Sequence, residues 1–176
     1  YFRCRPIVVG PGVRTGLIVK YDNPKQLGAD RIVNAVAAAE LYPGPLVVID
    51  FGTATTLCAI TDKKEYLGGV ILPGIKISAD ALFEKTAKLP RVEIEAPKRA
   101  ICHNTTEGMQ AGLVYGQIGQ TEYIVREMIR ESGMSNVKVV ATGGLGRLIS
   151  ESTDAIDIYD PDLTLEGMRR IYARQK

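Results

Sequence analysis

The sequence predicts an α/β domain built around a mixed sheet. From residue 46 onward, short apolar segments typical of strands alternate with longer segments of helical periodicity, which is the pattern of α/β folds. Three strand-like segments come in succession before the first of these helices, so an antiparallel meander is expected within the sheet. The 176 residues are 45% hydrophobic, and a chain of this length and composition can bury a substantial core.

Composition and charge exclude several classes of protein. Lys plus Arg number 22 and Asp plus Glu number 20, for a net charge of +2, so the strongly basic surface of a nucleic-acid-binding protein is not expected. No segment approaches the roughly 18 consecutive apolar residues of a membrane-spanning helix. The three cysteines, Cys4, Cys58 and Cys102, fit neither a disulfide framework nor a zinc site. A soluble cytoplasmic protein without nucleic-acid or membrane partners is therefore predicted.

The first 43 residues contain one strand-like and one helix-like segment. The β-branched run at residues 7–9 precedes the Gly-Pro-Gly cluster at 10–12 and predicts a strand followed by a turn. Pro24 suits the first turn of a helix that is predicted to extend to residue 41. The Pro-Gly-Pro sequence that follows at 43–45 cannot continue a helix. We therefore expect a domain boundary there, with residues 1–43 as the C-terminal remainder of one domain and residues 44–176 as a second domain.

The second predicted domain begins with the meander. A continuous apolar strand is expected at residues 46–49, buried on both faces, and is followed by strands at 55–61 and 66–71. A helix is predicted from residue 74 to residue 85. Asn104, with an acid three residues later, is expected to cap a long helix that is broken or bent near its glycines. The remaining elements are a strand at 137–141, a glycine turn into a short helix at 142–146, a strand at 156–159 and a helix at 163–174.

The segment from Asp50 to Thr56, with the sequence DFGTATT, is the most informative part of the chain. Its carboxylate ends a buried strand, and a glycine turn with three threonines follows. Glycine lets backbone N–H groups approach an anion, and threonine hydroxyls add donors. A carboxylate beside them can hold a hard cation through its oxygens. The segment therefore predicts a phosphate-and-cation site, and the alternative is a plain hairpin of residues that suit strands.

Asp30 and Arg31 lie next to each other near the start of the first predicted helix. Neighbouring residues of a helix do not face each other, so these two need not form an ion pair. Asp30 could take a proton from a hydroxyl group while Arg31 or nearby backbone holds an anionic substrate. The alternative is a solvated helix face.

Two glycine-rich segments resemble nucleotide-binding turns. Residues 10–16 fit neither the Walker A motif nor the dinucleotide fingerprint, so a plain turn is the alternative there. The turn that contains Gly143 and Gly144 follows a strand and precedes a helix. Close contact with a nucleotide is possible at this turn, and a tight crossover is the alternative.

In their order and spacing, the motifs of this chain resemble those of type III pantothenate kinase. They lie at residues 11–16, 28–31 with Asn34, 50–56, 68–74, 104–105, 142–144 and 160–167. The resemblance covers essentially the whole chain, and the ordered set is far more specific than any one motif. It implies membership of the acetate and sugar kinase/Hsp70/actin superfamily, in which two ribonuclease-H-like domains hold the nucleotide between them.

The resemblance also implies an activity and its requirements. Such a kinase phosphorylates the terminal hydroxyl of pantothenate with ATP and Mg²⁺, the first step of coenzyme A biosynthesis. It requires a monovalent cation, K⁺ or NH₄⁺, and is a homodimer.

The same resemblance implies roles for individual residues. Asp30 is expected to be the general base, and Asp50 is expected to bind the monovalent cation. Thr53 is expected to touch the ATP phosphates, with Gly143 and Gly144 as further nucleotide neighbours. The pantothenate pocket is expected to include Tyr21, Gly28, Ala29, Asp30 and Arg31, with Thr105 supplied across the homodimer interface.

The chain departs from the family pattern at its beginning. The opening phosphate motif of the family, which also serves Mg²⁺, is absent, and roughly 80 preceding residues of the first domain are expected in the parent protein. Three alternatives remain: a non-catalytic regulatory relative, a superfamily kinase for another small hydroxyl substrate, and a small-molecule-binding α/β domain without chemistry. The presence of both Asp30 and Arg31 favours the enzyme.

Overall fold

A computed structural model describes residues 6–10 and 12–176. Residues 1–5, among them Cys4, and also Pro11 lie outside the described residues. The strands are β1 (Ile18–Val19), β2 (Leu46–Phe51), β3 (Ala54–Ile60), β4 (Glu65–Pro73), β5 (Lys138–Thr142) and β6 (Ile158–Tyr159). The α-helices are α1 (Ala29–Leu41), α2 (Ile75–Lys85), α3 (Thr105–Ser132), α4 (Gly146–Ser150) and α5 (Leu163–Ala173), and a 3₁₀ helix spans Pro24–Gln26.

The six strands form one mixed sheet in the order β1-β4-β3-β2-β5-β6. β2, β3 and β4 form the predicted antiparallel meander, whereas β5 runs parallel to β2 and β6 runs parallel to β5. β1 pairs in parallel with the first residues of β4. The strands from β2 to β6 have the arrangement of an actin-like, ribonuclease-H-like fold, which confirms the predicted fold class.

Helices cover both faces of the sheet. On one face, which we call the α1 face, α1 and α5 pack against side chains that include Val48 and Cys58. On the other, which we call the α3 face, α2, α3 and α4 pack against side chains that include Val47 and Leu57. Neighbouring residues of one strand thus serve opposite faces, as the two-residue period of a strand requires.

Close contact between α1 and α5 depends on Gly167. A Cβ atom at this position would lie 2.1 Å from the Val33 carbonyl oxygen, so a larger residue would push the two helices apart. Glu40 of α1 also pairs with Arg170 of α5 at 2.6 Å. Residues on both sides of Pro43 thus share one core, and the division into domains 1–43 and 44–176 stays a prediction.

Three local predictions differ from the structure. Residues 7–9 form no strand. The helix expected from Pro24 is divided, because the 3₁₀ turn ends before Gly28, which is the N-cap of α1. α3 is one uninterrupted helix of 28 residues despite its glycines, because its apolar side chains pack along the sheet and tertiary packing outweighs a glycine cost of about 1 kcal/mol each.

Within the described ranges, 6–10 and 12–176, none of the helices combines the length and apolar character needed to cross a membrane.

Candidate functional site

The carboxyl ends of the parallel strands β2 and β5 bring Asp50 beside Thr142, its register partner. Ligands of open α/β sheets bind at this edge. Asn34 of α1 donates from Nδ2 to Asp50 Oδ2 at 2.9 Å. Thr164 of α5 in turn donates from Oγ1 to Asn34 Oδ1 at 2.7 Å. This chain of hydrogen bonds links both helices of the α1 face to the end of β2.

The surroundings of Asp50 fit a bound cation. Burial raises the pKa of its carboxyl group, the hydrogen bond from Asn34 lowers it, and the charge of Asp30 raises it, so the net pKa lies above the ordinary value. Within the described residues, Asp50 Oδ1 accepts no hydrogen bond from a side chain, and the buried Thr142 Oγ1 has no partner. A positive ion would satisfy both oxygens and stabilise the ionised carboxylate.

The donor set around Asp50 carries little negative charge. No group of three or more His, Cys, Asp or Glu side chains able to hold a metal occurs in the part of the chain that the structure describes. One carboxylate with neutral oxygens supplies little negative charge, and ligand charge count sets affinity for hard cations.

Glycines bring three backbone segments together beside Asp50. Gly143 has φ 94°, and a Cβ there would lie 2.6 Å from the Phe51 carbonyl oxygen. Gly74 donates its backbone N–H to the Thr53 carbonyl oxygen at 3.2 Å, and a Cβ there would lie 2.3 Å from that oxygen. Larger residues at either position would separate the turn after β2 from the turn after β5 or from the start of α2.

A hollow of about 380 Å³ opens above these turns. Its lining includes Gly52, Thr53 and Gly144, so the structure brings together two parts of the predicted nucleotide site. Lys76, on the first turn of α2, also lines this hollow. The sequence pattern did not single out Lys76, since an exposed helix lysine carries no local signal of a site.

Asp30 and Arg31 point in different directions, as their adjacency on a helix requires. Asp30 is exposed, and its Oδ1 accepts the Arg31 backbone N–H at 2.8 Å. A Cβ at Gly28 would lie 2.5 Å from that same oxygen, so glycine permits this carboxylate conformation. Asp30 borders a mainly apolar hollow of about 480 Å³ whose lining includes Ala29 and Met168.

Arg31 lies beside two tyrosine rings on the sheet side of α1. Its Cζ is 5.9 Å from the ring centroid of Tyr21 and 5.8 Å from that of Tyr66. Its Nε donates to Cys58 Sγ at 3.4 Å. The structure thus places the predicted pocket residues Tyr21 and Arg31 together, and it adds Cys58 and Tyr66, which sequence reasoning missed.

Thr105 is the exposed first residue of α3, which packs on the α3 face. In the described part of the chain it forms no side-chain hydrogen bond to the other predicted site residues. Its role across a homodimer interface stays a prediction.

Comparison with known proteins gives two similarities. A family model described as type III pantothenate kinase matches residues 1–127, a range that includes Asp30, Asp50 and Thr105 but not Gly143. The fold is similar to the crystal structure of a "conserved putative Baf family transcriptional activator" from Campylobacter jejuni, with a TM-score of 0.61 and 26% sequence identity. The alignment covers 93% of this chain and 71% of that chain. One similarity names an enzyme and the other a transcriptional activator.

Proposed function

Because the chain belongs to the type III pantothenate kinase family, we propose that it transfers a phosphoryl group from ATP to the terminal hydroxyl of pantothenate. The observation that carries the proposal is the hydrogen-bonded series Thr164–Asn34–Asp50. It ties α1, with Asp30 in its first turn, to the threonine-rich turn after β2. In this proposal the proton acceptor and the phosphate-binding turn belong to one site.

Asp30 acts as the general base in this proposal. The substrate alcohol has a pKa far above neutrality, so a carboxylate cannot ionise it in advance. Asp30 instead accepts the proton as the loose transition state of phosphoryl transfer forms. Since Oδ1 already accepts the Arg31 backbone N–H, Oδ2 is the atom that takes the proton.

The remaining residues bind and position the two substrates. Thr53, Gly143 and Gly144 contact the nucleotide, and Lys76 adds positive charge to the same hollow. Tyr21, Gly28, Ala29 and Arg31 line the pantothenate pocket, with Thr105 contributed by a second copy in a cytoplasmic homodimer.

Two cations complete the proposed site. Asp50 and Thr142 hold K⁺ or NH₄⁺, which supplies positive charge beside the phosphates when bound. Mg²⁺ binds mainly through the phosphates of ATP, since such sites commonly use only one or two carboxylates.

A non-catalytic regulatory role is the second candidate, and the similarity to the Baf family structure favours it. A protein of this kind would keep the fold without needing a proton acceptor beside the phosphate-binding turn. The presence of Asp30 together with Asn34 and Asp50 favours the kinase.

Phosphoryl transfer by the full-length protein tests the proposal. The protein is given ATP, Mg²⁺ and pantothenate, with and without K⁺, and ADP release and phosphopantothenate are measured. We expect ADP release that requires pantothenate and increases with K⁺. ATP binding without phosphopantothenate would favour the regulatory role, and turnover with a different hydroxyl compound alone would reassign the substrate.

A further inference from the structure

Arg31 is a buried cation without a carboxylate partner. The residue is 6% exposed, and within the described residues no Asp or Glu forms a salt bridge with it. Residues 1–5 and 11 include no Asp or Glu. Buried charges are normally paired, so the partner of this guanidinium is to be sought outside the chain.

One terminal nitrogen of the guanidinium forms no hydrogen bond within the described residues. Arg31 Nη2 is buried and has no hydrogen-bond partner among the described residues. A guanidinium matches the geometry of both carboxylates and phosphates, and a carboxylate is the anionic group of the proposed substrate.

Cys58 holds the other end of the guanidinium. Its Sγ accepts two hydrogen bonds, from Arg31 Nε at 3.4 Å and from Tyr66 Oη at 3.0 Å. Cys58 is 3% exposed and Tyr66 is fully buried. Burial raises the pKa of Tyr66, so its hydroxyl remains a donor at neutral pH.

The two tyrosine rings restrict the guanidinium further. Tyr21 and Tyr66 are arranged edge to face, with an interplanar angle of 67° and centroids 6.3 Å apart. The Arg31 Cζ lies within 6 Å of both centroids, close enough for cation–π attraction. Nε is thus held by sulfur and the guanidinium lies against the rings, which leaves Nη2 as a buried nitrogen without a partner among the described residues.

We propose that Cys58 is a positioning residue that fixes Arg31 so that its Nη end binds the carboxylate of the substrate. The inference rests on the proposed kinase function and adds the group that makes the pocket selective for an acid. Sulfur suits this task because it is a weak acceptor that contacts Nε of Arg31.

The test compares an acid with its neutral analogue in the full-length protein. The substrates are pantothenate and pantothenol, in which a primary alcohol replaces the carboxylate, and both binding and steady-state kinetics are measured. We expect Cys58→Ala to weaken pantothenate binding about tenfold, the loss typical of one hydrogen bond to a charged group. The kcat for pantothenate and the KM for pantothenol should change less than about twofold.

Two further variants separate positioning from packing. Cys58→Ser keeps an acceptor and should restore most of the affinity for pantothenate. Val48→Ala removes a buried side chain beside Cys58, its register partner on β2, without touching the acceptor. It should lower the melting temperature without changing the preference for the acid.

Several outcomes overturn the inference. They are an equal loss of pantothenate and pantothenol binding in Cys58→Ala, no loss of either, or a wild-type protein that does not distinguish the two compounds. Failure of the kinase proposal gives a different result, namely a wild-type protein that binds pantothenate but does not phosphorylate it. Binding data then still decide the role of Cys58.

Discussion

The α1 face and the α3 face of the sheet both bury polar atoms without partners, but the groups around these atoms differ in charge. Within the described residues, each face has two such atoms, and the four are Arg31 Nη2 and Thr142 Oγ1 on the α1 face and Gln117 Nε2 and Thr121 Oγ1 on the α3 face. On the α1 face one belongs to a charged group and the other lies beside Asp50. On the α3 face the side chain of Gln117 accepts a hydrogen bond from the neutral Thr55 hydroxyl, at 3.5 Å.

This difference distinguishes unpartnered atoms that are candidates to bind a ligand from unpartnered atoms that are only a cost of packing. A buried unpartnered polar group costs roughly 1–3 kcal/mol, and a fold tolerates the cost more readily where a ligand repays it. Both charged residues involved, Arg31 and Asp50, are connected to side chains of other elements by hydrogen bonds. We therefore place the proposed proton acceptor and cation site on the α1 face and assign the buried polar atoms of Gln117 and Thr121 on the α3 face to packing.

The largest effect is expected for Asp30→Asn on the α1 face. Asparagine can still accept the Arg31 backbone N–H through Oδ1, so α1 should begin as before, but it cannot take a proton. We expect kcat to fall by on the order of 10² or more, with ATP binding little changed. Steady-state ADP release and nucleotide titration check this.

The exposed Asp22 provides the matched control for Asp30. Asp22→Asn makes the same chemical change outside the site and should leave kcat unchanged. Full turnover by Asp30→Asn would remove the assignment of the general base, and with it the main reason to place the chemistry on the α1 face.

A smaller effect is expected for Asp50→Asn, which removes the negative charge from the proposed cation site. K⁺ at about ten times its Kd should stabilise the wild-type protein by about 1.4 kcal/mol, measured against tetramethylammonium at equal ionic strength. The variant should lose this stabilisation and the K⁺ dependence of ADP release. K⁺ stabilisation that survives in Asp50→Asn would place the ion elsewhere.

The pH dependence of stability gives a second measurement on Asp50. Its pKa is raised in the folded protein, so between the unfolded and folded pKa values the folded state binds more protons. The free energy of unfolding should therefore fall as pH rises through that window. Asp50→Asn should abolish this fall, whereas Asp62→Asn, at an exposed turn, should leave it unchanged.

Much of the fold could be predicted from local pattern, because β2, β3, β5 and α5 carry their own hydrophobic periodicity. Asp50 was identifiable because a carboxylate at the end of an apolar strand is a local signal. The surroundings of Arg31 were not, since Cys58 lies 27 residues away along the chain and only sheet formation brings it close.

Two errors have the same physical origin. The expected strand at residues 7–9 has no partner in the sheet. The sequence of one segment does not show whether another strand will pair with it. α3 is uninterrupted because it packs against β2 and β3, and this packing outweighs the destabilising effect of its glycines. In both cases tertiary contacts decided what local propensity could not.

The smallest effect, and one of opposite sign, is expected for Gly119→Ala on α3. Gly119 is exposed, and nothing lies within 4 Å of a Cβ built there, so alanine should stabilise the helix by about 0.5–1 kcal/mol. The same change at Gly167 on the α1 face would force a Cβ against the Val33 carbonyl and should destabilise by about 1–3 kcal/mol. Denaturant unfolding measures both. Kinase activity should be unchanged in Gly119→Ala, and a loss of activity there would show that the exposed surface of α3 takes part in function beyond the contribution proposed for Thr105.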